Sequence, residues 1–164
     1  MTGMVIHFIC RGNVFRALIA EACLNSMQLK DITVLSSGTV AQRHFSSNTV
    51  NYRRTLELLR RHGVEGYAKA HFGDQLTQDR LNDTDVAVCM NKNVHDEART
   101  LCKLPGRVLT WGVVDLGEPG RIAHDETERE KYAEDAYAEI SLNVGRLVQT
   151  LDTPWPSTRL GWRS

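Results

Sequence analysis

A chain of 164 residues fits one domain around a single core, and no linker-like stretch is long enough to divide it. Lys and Arg number 20 against 20 for Asp and Glu, so the formal net charge is zero; a broad nucleic-acid or anionic-membrane surface is not expected, and an anionic ligand must be met locally. No apolar run is long enough to span a bilayer, no signal-peptide pattern is present, and the four cysteines, Cys10, Cys23, Cys89 and Cys102, lack CxxC or zinc-like spacing, which suits free thiols in a reducing cytoplasm.

In chain order, Val5-Ile6-His7-Phe8-Ile9 reads as a short buried strand. The spacing of Ala17, Ala20, Ala22, Leu24 and Met27 then predicts a helix. Thr33 to Ser36 reads as a second strand, and Thr49 to His62 as a helix closed by Gly63, with Tyr52, Leu56 and Leu59 on one face. Arg53, Arg54, Arg60 and Arg61 read as its solvated side. A short helical turn from Thr77 to Leu81 precedes a strand from Val86 to Met90, and Val94 to Leu101 forms another helix. Val108-Leu109-Thr110 is the fourth strand. The last helix carries Ala133, Ala136, Tyr137, Ile140, Val144, Leu147, Val148 and Leu151 at spacings of three and four. The boundary is placed after residue 151, leaving 152–164 as a tail whose Trp155 and Trp162 are expected to pack back on the domain. Strands alternating with helices predict an α/β fold with a doubly wound parallel sheet, whose ligands bind beyond the carboxyl ends of the strands. Cys10 and Asp115 both follow strands, so both project to that edge.

The stretch between the first strand and the first helix carries the chemistry. Cys10 and Arg16 are separated by the five residues Arg11-Gly12-Asn13-Val14-Phe15. Consecutive backbone N–H groups in a tight turn, followed by a helix N-terminus, make a positive concavity suited to a tetrahedral dianion. Gly12 permits close approach of a ligand, and Asn13 is among the few residues that tolerate left-handed backbone angles. Arg16 adds a planar fork for two phosphate oxygens. The same field favours the Cys10 thiolate.

The run from Phe8 to Ala22, Phe-Ile-Cys-Arg-Gly-Asn-Val-Phe-Arg-Ala-Leu-Ile-Ala-Glu-Ala, resembles the signature of the low-molecular-weight protein tyrosine phosphatase family, F-V-C-x-G-N-x-C-R-S-P-x-A-E-A. Ser36-Ser37-Gly38-Thr39 resembles the family's S-A-G-T segment. His71 with Gln75-Leu76-Thr77, ahead of Asp85 to Met90, continues the similarity, and Trp111-Gly112-Val113-Val114-Asp115 resembles the segment leading into the general-acid loop. The resemblance implies one three-layer domain with a four-stranded parallel sheet flanked by helices. It also implies a phosphomonoester hydrolase that works through a cysteinyl-phosphate, releases inorganic phosphate and needs neither metal nor cofactor. Cys10 would be the nucleophile, Arg16 and the Arg11–Phe15 loop the phosphate holders, and Asp115 the general acid, with Glu118 and Asp125 as rival carboxylates. Ser36 and His71 match positions that hydrogen-bond the loop asparagine, here Asn13.

Departures from the pattern bear on substrate. Phe15 replaces a second loop cysteine that elsewhere traps the nucleophile in a disulfide. Ala17-Leu18 replaces Ser-Pro, whose serine can donate to the thiolate. The acid loop reads Asp115-Leu116-Gly117-Glu118-Pro119-Gly120 and lacks the aromatic residues that would clasp a phosphotyrosine ring. A phosphorylated small molecule, such as a sugar or nucleoside, is therefore an alternative to phosphotyrosine protein. Two more readings stay open. A thiol-dependent arsenate reductase would use Cys89 as a resolving thiol, with Cys102 thirteen residues on; the other is a phosphate-binding protein without turnover.

Overall fold

The computed structural model describes residues 3–151, so the 152–164 tail with its two tryptophans lies outside the described residues. Four strands, β1 (Met4–Cys10), β2 (Ile32–Gly38), β3 (Val86–Cys89) and β4 (Arg107–Thr110), alternate with the helices α1 (Arg16–Ser26), α2 (Thr49–Arg61), α3 (Gln78–Leu81), α4 (Lys92–Leu101) and α5 (Glu126–Leu151). All strand pairs are parallel and the order is β2-β1-β3-β4. The four-stranded parallel sheet expected from the alternation is present, and the helix and strand boundaries fall within a few residues of those read from the sequence.

The period-two alternation of β1 divides the core. Ile6, Phe8 and Cys10 face a large apolar cluster shared with α1, α2 and α5, whereas Ile9 joins Ala87, Cys89, Val94 and Ala98 in a smaller one under α3 and α4. Because β1 is an inner strand and α1 is buried from Arg16 through Leu24, the loop between them hangs from the two best-covered elements of the fold. The register sets Cys10 beside Gly38 of β2, and Ile9 beside Cys89 of β3. Cys10 and Cys89 therefore serve opposite faces of the sheet.

The α2 stripe is rotated from the one its periodicity predicts. Thr55, Leu58 and Leu59 are buried, while Tyr52 and Leu56 are only partly so. Thr55 is drawn inward because its hydroxyl donates to the carbonyl of Val14 at 2.7 Å.

Candidate active site

The loop from Arg11 to Phe15 is shaped by what holds its carbonyls. Thr39 N donates to Cys10 O at 2.9 Å, Val40 N to Arg11 O at 3.0 Å, Gly73 N to Asn13 O at 3.0 Å and Ile19 N to Phe15 O at 2.9 Å. With Thr55 on Val14 O, these bonds pull the oxygens outward and turn the N–H groups to the concave side. There, Asn13 N donates to Cys10 Sγ at 3.2 Å. Gly38 must be glycine, since a Cβ would stand 2.3 Å from Arg11 O.

Asn13 carries the turn at φ +53°, a left-handed conformation that its surroundings enforce. Its side-chain Nδ2 donates to Ser36 Oγ at 3.0 Å, and the Ser36 hydroxyl in turn donates to a Glu21 carboxylate oxygen. Its Oδ1 accepts from Lys69 Nζ at 2.7 Å and from Asp74 N at 2.9 Å. Lys69 also reaches Ser36 O at 3.1 Å and Asp74 Oδ2 at 2.7 Å. Ser36 thus stands where the sequence comparison put it, but His71 does not. Its ring lies 2.8 Å from Asp74 Oδ2, with the side chain 62 % exposed, and it acts on Asn13 only through that carboxylate. Lys69 occupies the place expected for His71, because its longer stem spans the gap from the 69–74 loop. Nothing local in the sequence flags Lys69, Asp74 or Thr55.

Arg16 is 1 % exposed at the first position of α1. Nη1 donates to Val113 O at 3.0 Å, and Nη2 to Asp115 Oδ2 at 3.2 Å. Glu118 stands 3.7 Å from Nη1, and its Oε1 accepts from the Asp115 backbone N–H at 2.8 Å. Buried Arg16 Nε has no hydrogen-bond partner among the described residues. Cys10, Arg16 and Asp115 thus converge at the carboxyl edge of the sheet. Of the rival acids, Glu118 props the acid loop, and exposed Asp125 caps α5 by accepting from Glu128 N at 2.8 Å.

Burial pushes the Cys10 thiol up, while the Arg16 guanidinium and the amides of Ala17 and Asn13 pull it down and Asp115 pushes it up again. Burial likewise raises the Asp115 carboxyl above the ordinary range, against Arg16 and the Leu116 amide. Glu21 is raised by burial, which outweighs its bond from Ser36 and the field of Lys69. At Asp74 burial works in the same direction, but the hydrogen bonds from Lys69 and His71 bring the carboxyl below its ordinary value. Among the described residues, no cluster of His, Cys, Asp or Glu is placed to hold a metal ion.

A cleft of about 260 Å³ opens beside the loop, bounded by Arg11, Phe15, Asp115 and Leu116. Arg54 and Arg61, expected on the solvated side of α2, line this cleft. The rotated stripe explains the difference: turning Thr55 inward swings its neighbour Arg54 to the rim.

The sequence profile described as low molecular weight phosphotyrosine protein phosphatase matches residues 5–151. No curated protein matches the sequence. Among solved structures, Vibrio vulnificus Wzb in complex with benzylphosphonate is similar at TM-score 0.71 and 20 % identity, over 90 % of this chain and 98 % of that one. A Drosophila arginine phosphatase gives TM-score 0.68 at 20 % identity, over 93 % and 100 %. A thioredoxin-dependent arsenate reductase from Corynebacterium glutamicum gives 0.64 at 21 %, over 92 % and 62 %. At these identities the structures speak for the fold, while the profile match extends from β1 to the end of α5; on that match, the chain belongs to the low molecular weight phosphotyrosine protein phosphatase family.

Proposed function

We propose that the protein hydrolyses phosphomonoesters with Cys10 as nucleophile, Arg16 as phosphate holder and Asp115 as general acid. The observation that carries this reading is the convergence of three groups. A thiol lies under its own loop amides, and a buried guanidinium beside it is paired at 3.2 Å with a carboxylate from the opposite rim.

The chemistry follows in two displacements. Cys10 thiolate attacks phosphorus in line, the ester P–O bond breaks, and the departing oxygen takes the Asp115 proton. Water then attacks the cysteinyl-phosphate, its proton goes to Asp115, and the S–P bond breaks to release phosphate and the thiolate. Arg16 and the loop amides hold the equatorial oxygens throughout. A phosphate dianion competes with Asp115 for Arg16, and its charge raises the proton affinity of the released carboxyl. Binding thereby readies the acid.

Arsenate reduction through the chain's own thiols is the second reading. Cys89 is buried on the other face of the sheet among apolar side chains, and burial pushes its thiol up to about 12. A resolving thiol must ionise and meet Cys10, and this position serves neither need. The deciding experiment follows phosphate release from p-nitrophenyl phosphate alongside arsenate consumption under excess thiol. Phosphate release that depends on Cys10 is the expected result, and arsenate turnover alone would overturn the proposal.

A further inference from the structure

The cleft next to the phosphate loop is cationic in a chain of zero net charge. Four arginines line it, and they are not equally neutralised. Arg11 pairs with Glu97 at 3.0 Å, and Arg61 with Glu130 and Glu134 at 3.0 and 3.1 Å. Arg54 holds only Glu126 at 3.4 Å, with both side chains well exposed, a contact of the kind that exchanges readily for another anion. Arg129, on the first turn of α5, forms no ion pair among the described residues and gives Nη2 to the neutral Asn51 amide at 3.0 Å. Asn51 in turn donates to Asn48 Oδ1 at 3.0 Å, and Asn48 Nδ2 lies 3.1 Å from where a Cβ on Gly12 would stand. A continuous polar wall thus runs from the phosphate loop to Arg129.

We propose that Arg54 and Arg129 form a second anion subsite in this cleft, and that the substrate is a small phosphomonoester bearing a further carboxylate or phosphate. This rests on the phosphatase reading for turnover, but the subsite itself is a matter of binding. A neutral ring stacked on these arginines gains only a cation–π contact, whereas a second anion supplies the stronger charge-assisted hydrogen bonds. Val14, Phe15, Val40, Leu58 and Leu116 also line the cleft, so the apolar body of a substrate can rest between the phosphate loop and the two arginines. A volume of about 260 Å³ suits the body of a small molecule.

Two pairs of probes test the proposal. Calorimetry compares benzylphosphonate with 4-carboxybenzylphosphonate, and steady-state assays compare phenyl phosphate with 4-carboxyphenyl phosphate. The carboxylated member is expected to win by about tenfold in each pair, the worth of roughly one charge-assisted contact. That ratio should fall towards one in the double variant Arg54→Gln/Arg129→Gln, survive in part in Arg129→Lys, and shrink as salt is raised. A ratio of one in the unaltered protein, or a ratio that the double variant leaves intact, overturns the subsite. An acidic phosphotyrosine peptide turned over faster than the carboxylated ester overturns the small-molecule assignment. If no ester is hydrolysed while the phosphonate preference holds, the phosphatase reading fails and the subsite stands.

Discussion

Lys69 Nζ lies 2.7 Å from Oδ1 of Asn13, so a cation 56 residues away fixes the one left-handed residue in the phosphate loop. The same ammonium bonds Ser36 O and Asp74 Oδ2, tying β2 and the 69–74 loop to the turn. Asn13 is satisfied at both ends of its amide, which allows it to hold a strained backbone without a ligand.

Lys69→Met should therefore act on the loop as well as on stability. Three acceptors lose a charged donor, and a loss of about 1–3 kcal/mol is expected from urea unfolding. Phosphate affinity, read by calorimetry, should fall in parallel. His71→Ala should cost well under 1 kcal/mol, as exposed pairs do. Equal effects from the two substitutions would return His71 to the role that Lys69 takes here.

Cys10→Ser should abolish aryl-phosphate hydrolysis while inorganic phosphate still binds, because the outward-tied carbonyls and Arg16 are untouched. Residual turnover by the serine variant would remove Cys10 from the nucleophile's place.

Asp115→Asn should lower turnover by about 10²–10⁴-fold, with the deficit shrinking for esters whose leaving groups need little protonation. Turnover should fall on the alkaline side as Asp115 loses its proton, at a pH above the ordinary carboxylate range because burial raises it, and the variant should lack that limb. Asp125→Asn, at the cap of α5, should show no leaving-group dependence. The same pattern in Glu118→Gln at full strength would move the acid three residues along the loop.

Glu21 supplies a stability test with a definite sign. Its folded value is raised by burial, so its contribution is present in full below the ordinary carboxylate range and is lost as pH rises through the raised value. Relative to Glu21→Gln, the unaltered protein should thus lose ground as pH rises above the ordinary carboxylate range, seen as converging or crossing urea midpoints. A pH-independent difference would mean that Ser36 and Lys69 already hold the carboxylate charged.

Ala17→Ser offers a hydroxyl to a thiol that has the Ala17 and Asn13 amides but no side-chain donor at that position. A charge-assisted bond to the ionised form would lower the Cys10 pKa. Iodoacetate alkylation followed against pH measures this, and superimposable profiles would show that the amides already suffice.

The alternation of strands and helices was legible because each element carries its own pattern: β1 is an apolar run interrupted only by His7, and α5 repeats at three and four. The pairing of Cys10 with Arg16 was legible for the same reason, being local. Asp115 was placed through the resemblance of Trp111–Asp115 to a general-acid segment, with the topology that sends every strand's end to one edge in support. Contacts with large sequence separation were not legible. Lys69 to Asn13, Thr55 to Val14 and Arg129 to Asn51 join residues 56, 41 and 78 positions apart, and no spacing rule connects them. Arg54 illustrates the cost: an arginine on a polar helix face reads as solvated until the rotation of α2 is known.

The phosphate loop is strung between an inner strand and a helix buried from Arg16 through Leu24, and this couples its integrity to that of the whole domain. A segment so placed cannot open on its own, because freeing it means unzipping β1 from both neighbours or lifting α1 out of the core. The amides of β1 and of the buried part of α1 that carry the loop should belong to the slowest-exchanging class, released to deuterium only through near-global unfolding. Heat inactivation and loss of tertiary structure should accordingly coincide, with no warm range in which a folded but incompetent form accumulates.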